Sequence, residues 1–245
     1  MNIIISCQIV PRVLTAAETY DYSAGLIARL AAAHVGFQHW WSMLAKPTDT
    51  RIAFDDRARM TAWIQAGKDA FQLEYPNASL SLSGGVLLTN VTSEAEWLAR
   101  GSISLSINPG PGNVRLEICR IEEVFPSPTE LVWASLRALA YDSRAIVVNT
   151  NVQQGWGGER KLYSLHCGVF PHREFLGWMG YVDQPVDESQ VPDAARVERH
   201  GRGTMIMATE DADLFNARSV EQMNRVEIRL AELGLLPVTD AHLGG

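Results

Sequence analysis

Residues 201–237 read GRGTMIMATEDADLFNARSVEQMNRVEIRLAELGLLP. A strand, an acidic loop and a helix follow one another there. The run Thr204-Met205-Ile206-Met207-Ala208-Thr209 is too short for a helix and almost wholly apolar or β-compatible, so it predicts a strand buried on at least one face. Ser219 with Gln222 three residues on fits a capping box. Met223, Val226, Leu230 and Leu233 then recur at helical spacing on one face. Gly234 stands where a left-handed residue ends a helix, Leu235 can pack back on Leu230, and Pro237 forbids continuation. The stretch is scaffold by this reading, except for the acidic loop Glu210 to Asp213.

The surrounding chain of 245 residues is 47% hydrophobic, ample for a core. We expect a single domain over residues 1–245, with a possible subdivision near 123–128. Charge is uneven: residues 1–122 carry 10 basic and 11 acidic side chains, a net of −1, whereas residues 123–245 carry 11 and 17, a net of −6. Acidity of this kind argues against direct nucleic-acid binding, which rests on Lys and Arg neutralising phosphates. It suits a basic protein partner.

Cys7, Cys119 and Cys167 have no metal-type or CxxC spacing, so they read as buried reduced thiols of a cytoplasmic protein. The run Asn2 to Cys7 resembles a lipoprotein cleavage box only superficially, because no basic segment and no adequate apolar segment lead up to it. No stretch of about 18 uninterrupted apolar residues exists, which excludes a spanning helix and a membrane role.

Taken in order, residues 3–10 predict a buried strand stopped by Pro11. A helix follows from about Ala16 to Val35 with Leu26, Ile27, Leu30 and Ala33 on its apolar face and Gly36 as its stop. His34 and His39 beside that stop read as surface or capping residues. Of the adjacent Trp40 and Trp41, one packs inward and the other covers a neighbouring loop or surface patch. Asp55 or Asp56 caps a second helix carrying Met60, Trp63, Ile64 and Phe71.

Short strands then follow at Leu80–Leu82, Val86–Thr89, Ser102–Ile107 and Asn113–Ile118, the last two alternating as half-wet antiparallel strands do. Thr129 caps a helix with Leu131, Val132, Leu136 and Leu139, and Ala145–Val148 is a buried strand. Asn149 to Arg160 reads as a polar, glycine-rich loop displaying Trp156. Strand-like runs resume at Leu162–Phe170 and Gly177–Val182. A solvated loop over 183–193 holds Asp183, Asp187, Glu188 and Asp193, with Glu198 beyond it. The sum is an α+β fold: an antiparallel or mixed sheet with packed helices, in two similar-looking halves.

Chemistry is sparse. His166, Cys167 and His172 form the one cluster that could serve a small hydrolase or transferase, but neighbours along a strand point to opposite faces. No Walker loop, G-x-S-x-G elbow or HExxH occurs, and Gly155-Trp156-Gly157-Gly158 lacks the following helix that a phosphate cradle needs. Glu210, Asp211 and Asp213 lack calcium-loop spacing. We therefore expect no catalytic, metal or cofactor site. The expected binding residues are Trp156, Trp178, Asp187, Glu188, Glu210, Asp211 and Asp213: aromatic anchors with charge that steers a partner.

The order of landmarks resembles the immunity protein 52 family of bacterial polymorphic toxin systems. The β-type start, Trp40, the helix around Trp133, Gly177-Trp178-Met179-Gly180-Tyr181, Gly203-Thr204-Met205-Ile206 and Glu227 to Pro237 carry the likeness over nearly the whole chain. The segment Ala140 to Ile146 departs from it in lacking a tryptophan. The resemblance implies an α+β immunity protein that binds and neutralises a cognate toxin. That toxin is often a restriction-endonuclease-like nuclease delivered by a type VI secretion system. The resemblance transfers no catalytic residue and no contact residue.

Overall fold

In the computed structural model, β1 (Asn2–Ile9) buries Ile3, Ile5, Cys7 and Ile9, whereas Asn2, Ile4, Ser6 and Gln8 between them remain at least partly accessible. The structure describes residues 1–44, 49–79, 84–93, 95–97, 102–142 and 144–240. The alternation in β1 gives the sheet one dry and one wetter face there. On one side β1 pairs with β5 (Asn113–Ile118), and beyond it come β4 (Ile103–Asn108), β3 (Val86–Thr89) and β2 (Trp41–Ser42). On the other side β1 pairs with β6 (Ala145–Trp156), followed by β8 (Met179–Val182), β10 (Gly203–Met207) and β9 (Arg196–His200). Strand β7 (Glu159–Leu162) pairs with the far end of β6. Every one of these ladders is antiparallel, and the two sequence halves meet at β1–β6.

Helix α1 (Ala16–Ala33) and helix α4 (Pro128–Ala140), which the short α3 (Ile121–Val124) precedes, pack on each other and cover the dry face of β1. A capping box between Thr15 and Glu18 starts α1, and Leu26, Ile27 and Leu30 are its buried stripe. Helix α2 (Arg57–Glu74), capped by Asp56, leans on α1 through buried Met60 and Ile64. Trp40 is buried and Trp41 half-buried, dividing the pair as expected.

The opposite face differs between the halves. In the first half Ile4, Ser6, Ser104, Ser106, Arg115 and Glu117 stay partly or fully accessible. In the second half Gly180, Val182, Thr204 and Ile206 point the same way and are buried. They lie beneath the 183–194 loop, where Val186 N–H donates to Thr204 Oγ1 (2.9 Å), and beneath α6 (Ala217–Glu232). Arg225 pairs with Asp193 at 2.8 Å and Arg229 Nε donates to Gln190 O at 2.8 Å, tying α6 to that loop.

The end of α6 is as the sequence implies. Gly234 adopts φ +71°, Leu235 N–H bonds Leu230 O (2.9 Å) and Gly234 N–H bonds Ala231 O (3.0 Å), the paired bonds of a Schellman stop.

Several local expectations are corrected. Asn216, not Ser219, caps α6 and accepts from Arg218 N–H; Ser219 lies inside the helix and donates to Asp211 O. Ser127 precedes α4 without a side-chain bond and Pro128 takes the first turn, so Thr129 is no cap. Helix α1 ends at Ala33 with His34 as its cap, and His34 Nδ1 accepts from Gly36 N–H to start a 3₁₀ turn. The strand expected over Leu162–Phe170 is replaced by the short helix α5 (Tyr163–His166), and β9 was not foreseen. The Leu80–Leu82 run lies outside the described residues.

Candidate functional site

The largest correction concerns Asn149 to Arg160, which is a strand and a hairpin rather than a loop. β6 outruns β1, whose last partner is Gln153, and continues to Trp156 paired only with β7. Gly157 (φ +57°) and Gly158 (φ +87°) fill the two-residue turn, the pair of left-handed positions that a type I′ hairpin needs. Polar residues are tolerated along β6 because most of their polar groups find partners, Asn149 Oδ1 being the buried exception. Thr150 Oγ1 accepts from Met179 N–H (2.7 Å), Asn149 Nδ2 donates to Glu174 (3.1 Å), and Asn151 Nδ2 donates to Ser164 (2.8 Å).

Trp156 therefore stands on a fixed tip, opposite Glu159, at 76% exposure. Leu165, just beyond β7, is 75% exposed.

The hairpin is braced against the acidic loop that precedes α6. Leu214 N–H donates to Gln154 Oε1 (2.7 Å), Lys161 Nζ reaches Leu214 O (3.4 Å), and the same ammonium sits 4.4 Å from the centre of the Phe215 ring. Within that loop Asp213 Oδ1 accepts from Phe215 N–H (2.9 Å), while Asp211 O accepts from Ser219 Oγ (2.5 Å). Glu210 and Asp211 are exposed and Asp213 is half-buried. The hairpin that carries Trp156 is thus packed against the segment that carries Glu210, Asp211 and Asp213.

The other expected binding residues are not gathered there. Asp187 and Glu188 are exposed, but they follow Val186, which is bonded to the first part of β10, whereas Glu210 follows its last. Trp178 is 2% exposed, with its indole N–H donated to Thr209 O at 2.8 Å. It is a core residue and not a contact residue.

The His166, Cys167 and His172 cluster does not assemble as a thiol–imidazole pair. His166 Nδ1 lies 3.0 Å from Leu162 N, within its own helical turn, and burial pushes the Cys167 thiol up. His172 packs edge-on against Phe170. Among the described residues no group of three or more His, Cys, Asp or Glu side chains could hold a metal ion, and no helix is long and apolar enough to cross a membrane.

Two features had escaped sequence reasoning. The first is Glu227 on α6, 1% exposed, whose Oε1 accepts N–H bonds from Leu176 and Gly177, both at 3.0 Å. Burial raises its carboxyl pKa despite those bonds. Gly177 has φ +72°, and a Cβ there would lie 1.8 Å from Thr150 O. Glu227 stands four residues after Met223 and three before Leu230, so a charge within the apolar stripe was the available signal.

The second is a groove of about 760 Å³ between α1, α4 and β9. Its floor includes Ala32, Ala33, Ala134 and Ala138. Around it Arg196 lies over the Trp133 ring (4.5 Å to the centre) and Arg29 over Tyr141 (5.7 Å). Glu198 accepts from Arg137 through Oε1 (2.6 Å) and from Arg196 through Oε2 (3.0 Å). These residues come from three separate elements, so spacing along the chain could not reveal the groove.

No family model matches the chain, and no curated protein matches it. A solved structure described as Pseudomonas aeruginosa T6SS protein PA0821 is similar to it at 12% identity and a TM-score of 0.48, covering 94% of this chain and 73% of that one. The resemblance to the immunity protein 52 family accordingly rests on the residues quoted for it. Those residues are structural: Trp40, Trp133, Trp178 and Ile206 are buried, and Gly177 is bonded directly to Glu227.

Proposed function

We propose that this protein is an immunity protein that binds and neutralises a cognate toxin, with the β6–β7 hairpin and the Glu210–Asp213 loop as its contact surface. The observation that carries the proposal is Trp156, a large aromatic side chain held out at 76% exposure on a turn fixed by two left-handed glycines. A rigid aromatic anchor loses little conformational entropy on binding and is the residue type that dominates interface energies. The neighbouring carboxylates would steer a basic partner surface and raise the association rate more than the final affinity. The toxin class, a restriction-endonuclease-like nuclease delivered by a type VI secretion system, comes from the family resemblance. A basic nuclease cleft is the kind of surface an acidic loop complements.

The test is protection in cells that express the toxin-like product of the adjacent reading frame, followed by co-purification. Trp156→Ala, and Glu210→Lys combined with Asp211→Lys, should abolish or weaken protection while leaving the protein folded. His166→Ala, Cys167→Ala and His172→Ala should protect as the unaltered chain does. Loss of protection in folded variants of the latter set would replace binding with catalysis. Absence of both a toxin-like neighbour and a co-purifying partner would remove the immunity reading.

A further inference from the structure

The groove between α1, α4 and β9 lies apart from the hairpin and has a different chemical character. The chain is acidic, with a net charge of −7, yet three arginines converge here against Glu130 and Glu198. The two oxygens of Glu198 hold Arg137 and Arg196 by one guanidinium N–H each, and no other side-chain bond engages either guanidinium among the described residues. Arg29 spends its Nε on Ala138 O (3.1 Å) and lies 5.7 Å from the centre of the Tyr141 ring, and no carboxylate among the described residues pairs with it.

Arg196 and Arg29 lie 4.5 and 5.7 Å from the centres of the Trp133 and Tyr141 rings, and guanidinium forks beside aromatic rings suit recognition of a phosphate or carboxylate. Tyr141 is 69% exposed, which leaves a ring available for stacking beside those forks. Among the described residues Trp133 Nε1 has no hydrogen-bond partner, and its ring forms the groove wall beneath Arg196. The four alanines keep the floor shallow and apolar. The volume falls within the range of small-molecule sites, roughly 300–1,000 Å³.

We propose that this groove binds a small anionic ligand in which a phosphomonoester is joined to a planar heteroaromatic ring, of the size of a nucleoside monophosphate. In this arrangement Arg29 and the outward edges of Arg137 and Arg196 take the phosphate, and Tyr141 stacks on the ring. The ring and the anion are both required: guanidinium forks alone would accept any phosphate, and Tyr141 alone any flat ring.

Calorimetric titration of the full chain with AMP, adenosine and inorganic phosphate tests this. AMP should bind saturably, with adenosine and phosphate each weaker by roughly ten-fold or more, since each forfeits one set of contacts worth a charge-assisted hydrogen bond or a stacked ring. Arg29→Gln and Tyr141→Ala should each weaken AMP by a similar factor. Tyr141 is exposed enough that its replacement leaves the ligand-free melting temperature unchanged, so that variant remains informative if Arg29→Gln is unstable. Failure of AMP to bind at about millimolar concentration, equal binding of AMP and phosphate, or undiminished binding by both variants would overturn the proposal.

Discussion

Trp156 and Trp178 are the same side chain on neighbouring strands of one sheet, and the molecule treats them oppositely. Trp156 lies where β6 has outrun β1 and has only β7 beside it, so its ring is 76% exposed. Trp178 immediately precedes β8, which lies between β6 and β10, is 2% exposed, and spends its indole N–H on Thr209 O. Strand order, rather than composition or local glycine content, decides which tryptophan is displayed at a tip and which is core. Both neighbourhoods are glycine-rich, but Gly157 and Gly158 serve a turn with open space around them, whereas Gly177 serves a close approach of two backbones.

That contrast can be broken most forcibly at Gly177. Gly177→Ala should cost about 4 kcal/mol or more, because its Cβ would collide with Thr150 O and its φ is left-handed. Thermal or urea unfolding reads the loss, whereas Gly157→Ala and Gly158→Ala should change only the strain of an exposed turn. Trp178→Ala should destabilise by about 3–5 kcal/mol, the range for large-to-small changes in a packed core. Trp156→Ala should alter stability by no more than about 0.5 kcal/mol while costing about 2 kcal/mol or more in toxin binding. Equal stability losses for the two tryptophan variants would contradict the contrast.

Glu227 sharpens it further, because it fixes the core side of the comparison. Glu227→Leu leaves the Leu176 and Gly177 N–H groups buried without an acceptor, a cost of about 2–4 kcal/mol in denaturant melts. The smallest effect is on pH dependence. The folded carboxyl pKa of Glu227 is raised, chiefly by burial, so the native state binds more protons than the unfolded chain once pH passes the ordinary glutamate value of 4.5. Its contribution is therefore present at low pH and declines as pH rises toward the raised value. The difference in stability between the unaltered chain and Glu227→Gln should shift against the unaltered chain over that interval. A difference that does not move with pH would show that Glu227 titrates alike in both states.

Much of the scaffold was legible because it follows from periodicity and capping. The isoleucines of β1, the Thr204–Met207 run, the Asp56 cap and the Gly234 stop all appear where their residue types belong. The β6–β7 hairpin was not read, although Gly157-Gly158 between two extended runs is a hairpin signal. Its strand Asn149–Gln154 is polar on both faces, and the partners that satisfy it, Glu174, Met179 and Ser164, lie at least 13 residues away. β9 was hidden for a related reason: an edge strand of sequence RVERH is protected by charge and shows no apolar alternation. The binding residues divided by the same rule, since nothing within Gly177 to Val182 states that β8 is flanked on both sides.

Amide hydrogen exchange of the protein, alone and mixed with the toxin proposed as its partner, tests the central claim most directly. The account predicts new protection over residues 153–162 and 210–216, with the 196–200 edge and α4 unchanged. Protection confined to the β9 edge or to the open face of β1, β4 and β5, with the hairpin exchanging as in the free protein, would contradict it.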